Sequence, residues 1–221
     1  MILDPDAVRA GIEDIGYALT PSLLTPQTCR QLIDGFETDD GYRSTVTMAR
    51  HGYGQGRYRY FSLPLPEPVA RLRQALYPPL AEVARAWGED WPETHAALLD
   101  RCRAAGQTRP TPLILRYGPG DYNRLHQDLY GPLVFPLQVI VLLSDPADFS
   151  GGHLTLVETW PRQQSRCEAP PMRQGCGVVI PVRTRMVAGP RGPRRIAVRH
   201  GVTRVLSGLR FTLGIIFHDA V

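Results

Sequence analysis

The chain has 221 residues, 43% of them hydrophobic and 21% charged, which is the balance of one globular domain large enough to bury a core. No apolar run approaches the roughly 20 residues of a membrane span, and the acidic start Met1 to Asp6 does not read as a signal peptide, so a cytoplasmic protein without a membrane partner is expected. The net charge is +4 and all 25 basic residues are arginine; a high-GC coding bias produces that usage without any function, so the charge argues only weakly for a polyanionic partner.

Thr25-Pro26 predicts a helix start, with Thr25 as N-cap and Pro26 in the first turn; Leu32, Ile33 and Phe36 continue it as a stripe. The stretch Arg50-His51-Gly52-Tyr53-Gly54-Gln55-Gly56-Arg57-Tyr58 reads as a mobile loop that approaches a ligand closely. A second helical stretch covers Glu67 to Trp87, with Val69, Leu72 and Leu76 on one stripe, and Pro78-Pro79 is expected to break it in two. A third helix is expected over Glu93 to Cys102. From Thr111 the texture turns to short apolar runs: Leu113 to Tyr117, Leu133 to Leu143, His153 to Val157, Gly177 to Val182, Arg195 to His200 and Arg210 to Phe217. A polar, proline-containing loop is expected over Pro161 to Gln174.

Many short strands at regular spacing predict a sandwich or barrel. The expected fold is α+β: a double-stranded β-helix (a cupin-like jelly roll) with N-terminal helices packed on one sheet. It forms one compact domain, with residues 1–110 as a helical and loop part carrying a substrate-lid candidate and 111–221 as the β core. The four cysteines, Cys29, Cys102, Cys167 and Cys176, form no CxxC pair, which speaks against a zinc knuckle or redox dithiol and for free thiols in a reducing compartment.

His126-Gln127-Asp128 is expected at a strand start, where residues two apart share a face and an imidazole and a carboxylate can grip one ion. Alone the signal is weak, because 6 His and 13 Asp in 221 residues give about 0.35 such pairs by chance. His200, near the end of another strand, adds a second imidazole. Two histidines and one carboxylate on one face leave three positions of an octahedron open, the non-haem iron(II) oxygenase arrangement. A bidentate 2-oxo acid and O2 suit those positions. Arg210, ten residues after His200, supplies a permanently charged fork for the far carboxylate, and Thr212 on the same strand face adds a hydroxyl. His153 lacks an acid at the right spacing, and the adjacent His218 and Asp219 face opposite ways on a strand, so neither joins a metal site. In the loop after His200, Ser207 is expected to shape a turn with Gly208 and Arg204 to be solvated.

This set resembles the 2-oxoglutarate/Fe(II) dioxygenase superfamily, whose pattern is His-x-Asp, a distal His and an Arg about ten residues beyond. The run Arg116-Tyr117-Gly118-Pro119-Gly120 leading to Leu125-His126-Gln127-Asp128 is similar to the approach to the first ligands in AlkB-type demethylases. Phe149-Ser150-Gly151-Gly152-His153-Leu154 resembles the superfamily's turn before a mid-roll strand, and Arg199 to Arg210 resembles the distal half of prolyl-hydroxylase-like members. The stretch Leu129-Tyr130-Gly131 to Gln138 and the ending Leu213-Gly214-Ile215-Ile216-Phe217-His218-Asp219 resemble a prokaryotic oxygenase family described as acting on damaged, methylated DNA. The likeness covers roughly residues 111 to 219. It implies catalysis at His126, Asp128 and His200 with Fe(II), 2-oxoglutarate and O2. Tyr117 is either a hydroxyl partner of 2-oxoglutarate, where the resemblance puts a tyrosine, or a packed strand aromatic. One departure is Ile216, which stands where AlkB-type enzymes carry a second arginine.

Two substrate readings follow. Oxidative demethylation of a nucleobase in single-stranded DNA or RNA would use Tyr53, Tyr58 and Tyr60 as a stacking platform, with Arg50, Arg57 and Arg59 on phosphate. Arg183, Arg185, Arg191, Arg194 and Arg195, on a hairpin turning near Gly189-Pro190, form a second arginine group. The alternative is hydroxylation of a protein side chain, amino acid or small metabolite, with the tyrosine loop as a lid.

Overall fold

The computed structural model describes residues 3–38, 40–189 and 192–221. In chain order these form α1 (Pro5–Ile15), β1 (Ala18–Ser22), α2 (Pro26–Asp34), β2 (Tyr42–Thr47), β3 (Gly54–Gln55), β4 (Arg57–Phe61), α3 (Glu67–Ala86), α4 (His95–Ala104), β5 (Leu113–Tyr117) and β6 (Tyr122–His126). There follow β7 (Leu137–Leu142), β8 (Phe149–Gly151), β9 (Leu154–Thr159), β10 (Arg166–Glu168), β11 (Cys176–Pro181), β12 (Thr184–Val187), β13 (Arg194–Val202), β14 (Val205–Gly208) and β15 (Arg210–Ile216). Among the described residues no helix is long and apolar enough to cross a membrane.

An antiparallel major sheet, ordered β1-β11-β7-β15-β5-β4-β2, faces a minor sheet ordered β10-β9-β13-β6-β3, and β12 pairs with β13. This is the expected jelly roll. The period-2 alternation of strands decides its layers. On β7, Leu137, Val139 and Val141 join a core with Val69, Tyr77, Leu80 and Val83 of α3, so the helices cover one face of the major sheet. Burying each such side chain stabilises the fold by about 1.5–3 kcal/mol. The odd partners on β15, Phe211, Leu213 and Ile215, belong to the same core. Arg210, Thr212, Gly214 and Ile216 therefore face the other way, into a pocket between the sheets.

Several local expectations change in the fold. Helix α1 follows a terminus that reads only as acidic: Asp4 caps it, Pro5 opens it and Gly16 closes it at φ 93°. Its last turn is held by Arg185, which is buried, ion-paired to Glu158 at 2.6 Å, and donates to the carbonyls of Ile12 and Glu13 at 2.9 and 2.6 Å. Arg185 is thus a structural cation rather than a surface one. Pro78-Pro79 does not break α3, which runs unbroken for 20 residues. The carbonyls those prolines cannot serve belong to Gln74 and Ala75, both exposed, while Leu76, Tyr77, Pro79 and Leu80 are buried. The former lie on the solvent side of the helix, and core packing holds the latter.

The segment expected as one mobile loop, residues 50–58, is built into the sheets. It contains the end of a 3-10 turn (Met48–His51), all of β3 and the start of β4. Gly54 and Gly56 serve close backbone approach, and Gly52 closes the 3-10 turn. A Cβ on Gly54, whose φ is 143°, would lie 2.2 Å from the Tyr122 carbonyl oxygen on β6. Strands β1, β2 and β4 likewise place N-terminal residues in the major sheet, beyond the helix-and-loop content expected there. His126 ends its strand rather than starting one, because β6 runs from Tyr122 to His126. All four cysteines are free.

Candidate active site

His126 on β6 is the direct cross-strand partner of His200 on β13. Their ring centroids lie 4.2 Å apart. Asp128, two residues past the end of β6, places Oδ2 3.2 Å from His200 Nε2 and Oδ1 3.6 Å from His126 Nε2. One ligand atom from each of the three lies within 4.8 Å of the others. The intervening Gln127 ties the turn down by donating to the carbonyls of Arg183 and Val198 at 2.9 and 2.8 Å.

The electrostatics suit a cation. His126 Nδ1 lies 2.7 Å from the Arg124 carbonyl oxygen, which places the proton on Nδ1 and leaves the Nε2 lone pair facing Asp128. Burial, then the neighbouring His200, pulls the His126 pKa down from its ordinary value and favours the neutral, ligating form. For Asp128, burial alone would raise the pKa. His200, His126 and the Gln138 amide outweigh it and hold the carboxyl well below the usual carboxylate range. Its Oδ1 accepts from the Tyr130 hydroxyl at 2.8 Å and its Oδ2 from Gln138 Nε2 at 2.9 Å.

Arg210 opens β15 on the same pocket. It is 1% exposed and forms no ion pair among the described residues. Nη1 has no hydrogen-bond partner there, and Nη2 touches only the Met172 sulfur, at 3.6 Å. Burial lowers its pKa to about 10, so it stays charged at neutral pH. A buried guanidinium without a counter-charge costs several kcal/mol, and a bound carboxylate relieves that cost. Thr212 and the fully buried Tyr117 line the same cavity, of about 500 Å³. Arg210 lies 5.7 Å from the Tyr117 ring, and Asn123 donates to the Tyr117 hydroxyl at 3.4 Å.

The platform residues separate by strand parity. Tyr58 and Tyr60 face into the pocket, and the half-exposed Tyr53 stands at its mouth, stacked on His51 at 5.3 Å. Arg57 and Arg59 take the opposite face of β4. Arg57 pairs with Glu37 at 2.8 Å, and Arg59, 9% exposed, donates to the carbonyls of Phe36 and Thr38. Arg57 therefore does not line the pocket, whereas Arg124, not singled out in the sequence, does.

In the second arginine group, Arg195 pairs with Glu89 at 2.8 Å and Arg194 lies over Trp160 at 4.6 Å. Arg191 and Pro190 fall outside the described residues. Arg204 is exposed, as expected, and from the surface it donates to the Gly120 carbonyl at 2.6 Å and lies over Tyr122. His153 is exposed and outside the ligand cluster. His218 and Asp219 lie past the end of β15 rather than on a strand, and they take different partners: His218 Nδ1 accepts from the Phe135 amide, and Asp219 pairs with Arg73 at 2.7 Å.

The same architecture recurs in solved structures. A Pseudomonas putida prolyl-4-hydroxylase matches with TM-score 0.53 at 16% identity, over 95% of this chain and 96% of that one. A 2-oxoglutarate/Fe(II) oxygenase family oxidoreductase from Burkholderia pseudomallei gives 0.51 at 16% identity, over 99% and 94%. A Trichoplax adhaerens prolyl hydroxylase, solved with a hypoxia inducible factor peptide, gives 0.55 at 12% identity, over 97% and 89%. The chain thus shares its fold with 2-oxoglutarate/Fe(II) oxygenases and prolyl hydroxylases.

Residues 56–220 match the Oxygenase-NA family, described as an oxygenase catalysing oxidative methylation of damaged DNA, and the chain belongs to that family. Uncharacterised proteins from two strains of Mycobacterium tuberculosis are each 50% identical to it over 167 residues, 72% of either chain.

Proposed function

We propose that the protein holds Fe(II) through His126, Asp128 and His200, anchors 2-oxoglutarate on Arg210, and oxidatively demethylates alkylated nucleobases in single-stranded DNA or RNA. The observation that carries this reading is the three converging ligand atoms in one pocket with a buried guanidinium that has no counter-charge. When bound, iron with 2-oxoglutarate and O2 supplies the oxidation: 2-oxoglutarate becomes succinate and CO2, and one oxygen atom enters a substrate C–H bond. An N-methyl so hydroxylated breaks down to formaldehyde and the bare nitrogen.

The chain's own residues bind and orient. Arg210 offers a planar fork to the far carboxylate, with the Thr212 hydroxyl beside it. Tyr58 and Tyr60 wall the cavity with aromatic surface for an unstacked base. At the mouth, the His51–Tyr53 stack extends that surface and Arg124 offers charge to phosphate. The family's description supplies damaged DNA as the substrate class.

A second reading, hydroxylation of a protein side chain or small metabolite, is favoured by the prolyl hydroxylases among the structural neighbours. One assay separates them: succinate and formaldehyde release with Fe(II), run on methylated single-stranded oligonucleotides, proline peptides and metabolite pools. Demethylation predicts formaldehyde in step with succinate on the oligonucleotide, and binding that falls steeply with salt as counterions are released. Turnover with proline peptide and none with oligonucleotide selects the second reading. No succinate under any condition, with His126→Ala indistinguishable from wild type, overturns both.

A further inference from the structure

We propose that Tyr130 and Gln138 are positioning residues, a two-sided clamp that sets the plane of the Asp128 carboxylate for the metal. The inference rests on the reading of Asp128 as an iron ligand, and it gives a role to the stretch from Leu129 to Gln138 that the metal and co-substrate assignments leave unused.

Gln138 is the sole polar residue of β7, Leu-Gln-Val-Ile-Val-Leu, in the middle of the major sheet, and it is 2% exposed. An amide buried in an apolar strand is costly unless bonded. Its Nε2 donates to Asp128 Oδ2 at 2.9 Å. From the other side the Tyr130 hydroxyl donates to Oδ1 at 2.8 Å. Each carboxylate oxygen thus has its own protein donor, and two donors at opposite oxygens remove the rotation a lone aspartate past the end of a strand would keep.

The Tyr130 ring is itself held. Tyr60 meets it edge-on at 6.2 Å and His218 lies 6.1 Å away. His218 is locked by the Phe135 amide, which donates to Nδ1 at 3.2 Å. The stretch 129–138 therefore meets the carboxylate directly, and 213–219 backs it through the ring of Tyr130. Partners of metal ligands typically account for about 10–100-fold in metal affinity, and the clamp explains why a glutamine and a tyrosine occupy these places.

The test uses Co(II) as probe, titrated into metal-free full-length protein, with its visible absorption bands reporting ligand geometry. Tyr130→Phe and Gln138→Leu are each expected to weaken Co(II) binding about 10–100-fold and to shift those bands. The iron-loaded variants should lose kcat while KM for 2-oxoglutarate holds, since Arg210 is untouched. Circular dichroism checks folding. If Gln138→Leu does not fold, Tyr130→Phe, which removes a single oxygen atom, decides. Should wild type bind, His126→Ala fail to bind, and both clamp variants match wild type in affinity and bands, the clamp is wrong and the metal site stands. Wild type that takes up no Co(II), or His126→Ala that binds it equally well, removes the metal reading and the clamp with it.

Discussion

Arg210 is the residue at which stability and function pull apart. Its guanidinium is buried without a carboxylate beside it, an arrangement that destabilises the ligand-free fold and readies the pocket for an anion. Arg210→Met keeps an unbranched apolar stem, shorter than arginine by most of the guanidinium, and removes the charge. The variant is expected to melt at a higher temperature than wild type when ligand-free, by the equivalent of about 1–3 kcal/mol. It should need about 100-fold more 2-oxoglutarate for half-maximal turnover, the loss of a charge-assisted bidentate contact. A lower melting temperature with an unchanged co-substrate requirement would mean that another group anchors the carboxylate. The candidate ligands were legible because His-x-Asp and the Arg ten residues past the distal His are local spacings. No local spacing marks Gln138 and Tyr130 as partners of Asp128, although a lone polar residue in an apolar strand such as Gln138 demands a partner once buried.

At the scale of elements, the mouth of the pocket depends on how β3 is sewn to β6. Tyr53 sits between the 3-10 turn and β3, and Gly54 allows the Tyr122 carbonyl to approach where a side chain would collide. Gly54→Ala should displace Tyr53 as effectively as Tyr53→Ala removes it. Both variants are expected to depress substrate-coupled succinate formation several-fold more than substrate-free succinate formation. Equal losses in the two assays would detach this segment from substrate. The sequence marked the segment as unusual but mistook the reason. Alternating glycines suggest freedom to move, whereas the positive φ values at Gly54 and Gly56 let backbones approach and that at Gly52 closes the 3-10 turn. Strand β4 teaches a related point: its arginines and tyrosines alternate, and pairing with β2 and β5 decides that the tyrosines face the cavity.

For the whole molecule, acid should be a specific weakness. His95 and His218 are both buried at the C-terminal end of the core, and burial, followed by the charge of Arg73, lowers each pKa from 6.5 to about 4. Both are neutral in the folded chain and free to protonate in the unfolded one. Their stabilisation is therefore complete above pH 6.5 and is lost as pH falls toward 4. Full protonation costs of order 3 kcal/mol per histidine. Urea midpoints are expected to change little between pH 8 and 7 and to drop steadily from about pH 6.5 to 4. His95→Asn or His218→Asn should flatten that slope, and a slope unchanged in both variants would place the acid sensitivity elsewhere.

Taken alone, the sequence determined α2, α4 and the six longer apolar runs of the β half to within a few residues, and it singled out candidate side chains for a metal and a 2-oxo acid. These rest on caps, turn residues and the period of two, all set within ten or so neighbouring positions. Only the tertiary structure decided that β1, β2 and β4 extend the major sheet, that α3 runs through two prolines because packing holds it, that Arg59 and Arg185 are structural cations, and that Gln138 and Tyr130 meet at Asp128. Each of these depends on partners far apart in the chain, and periodicity carries no record of which distant strand or carbonyl a side chain will meet.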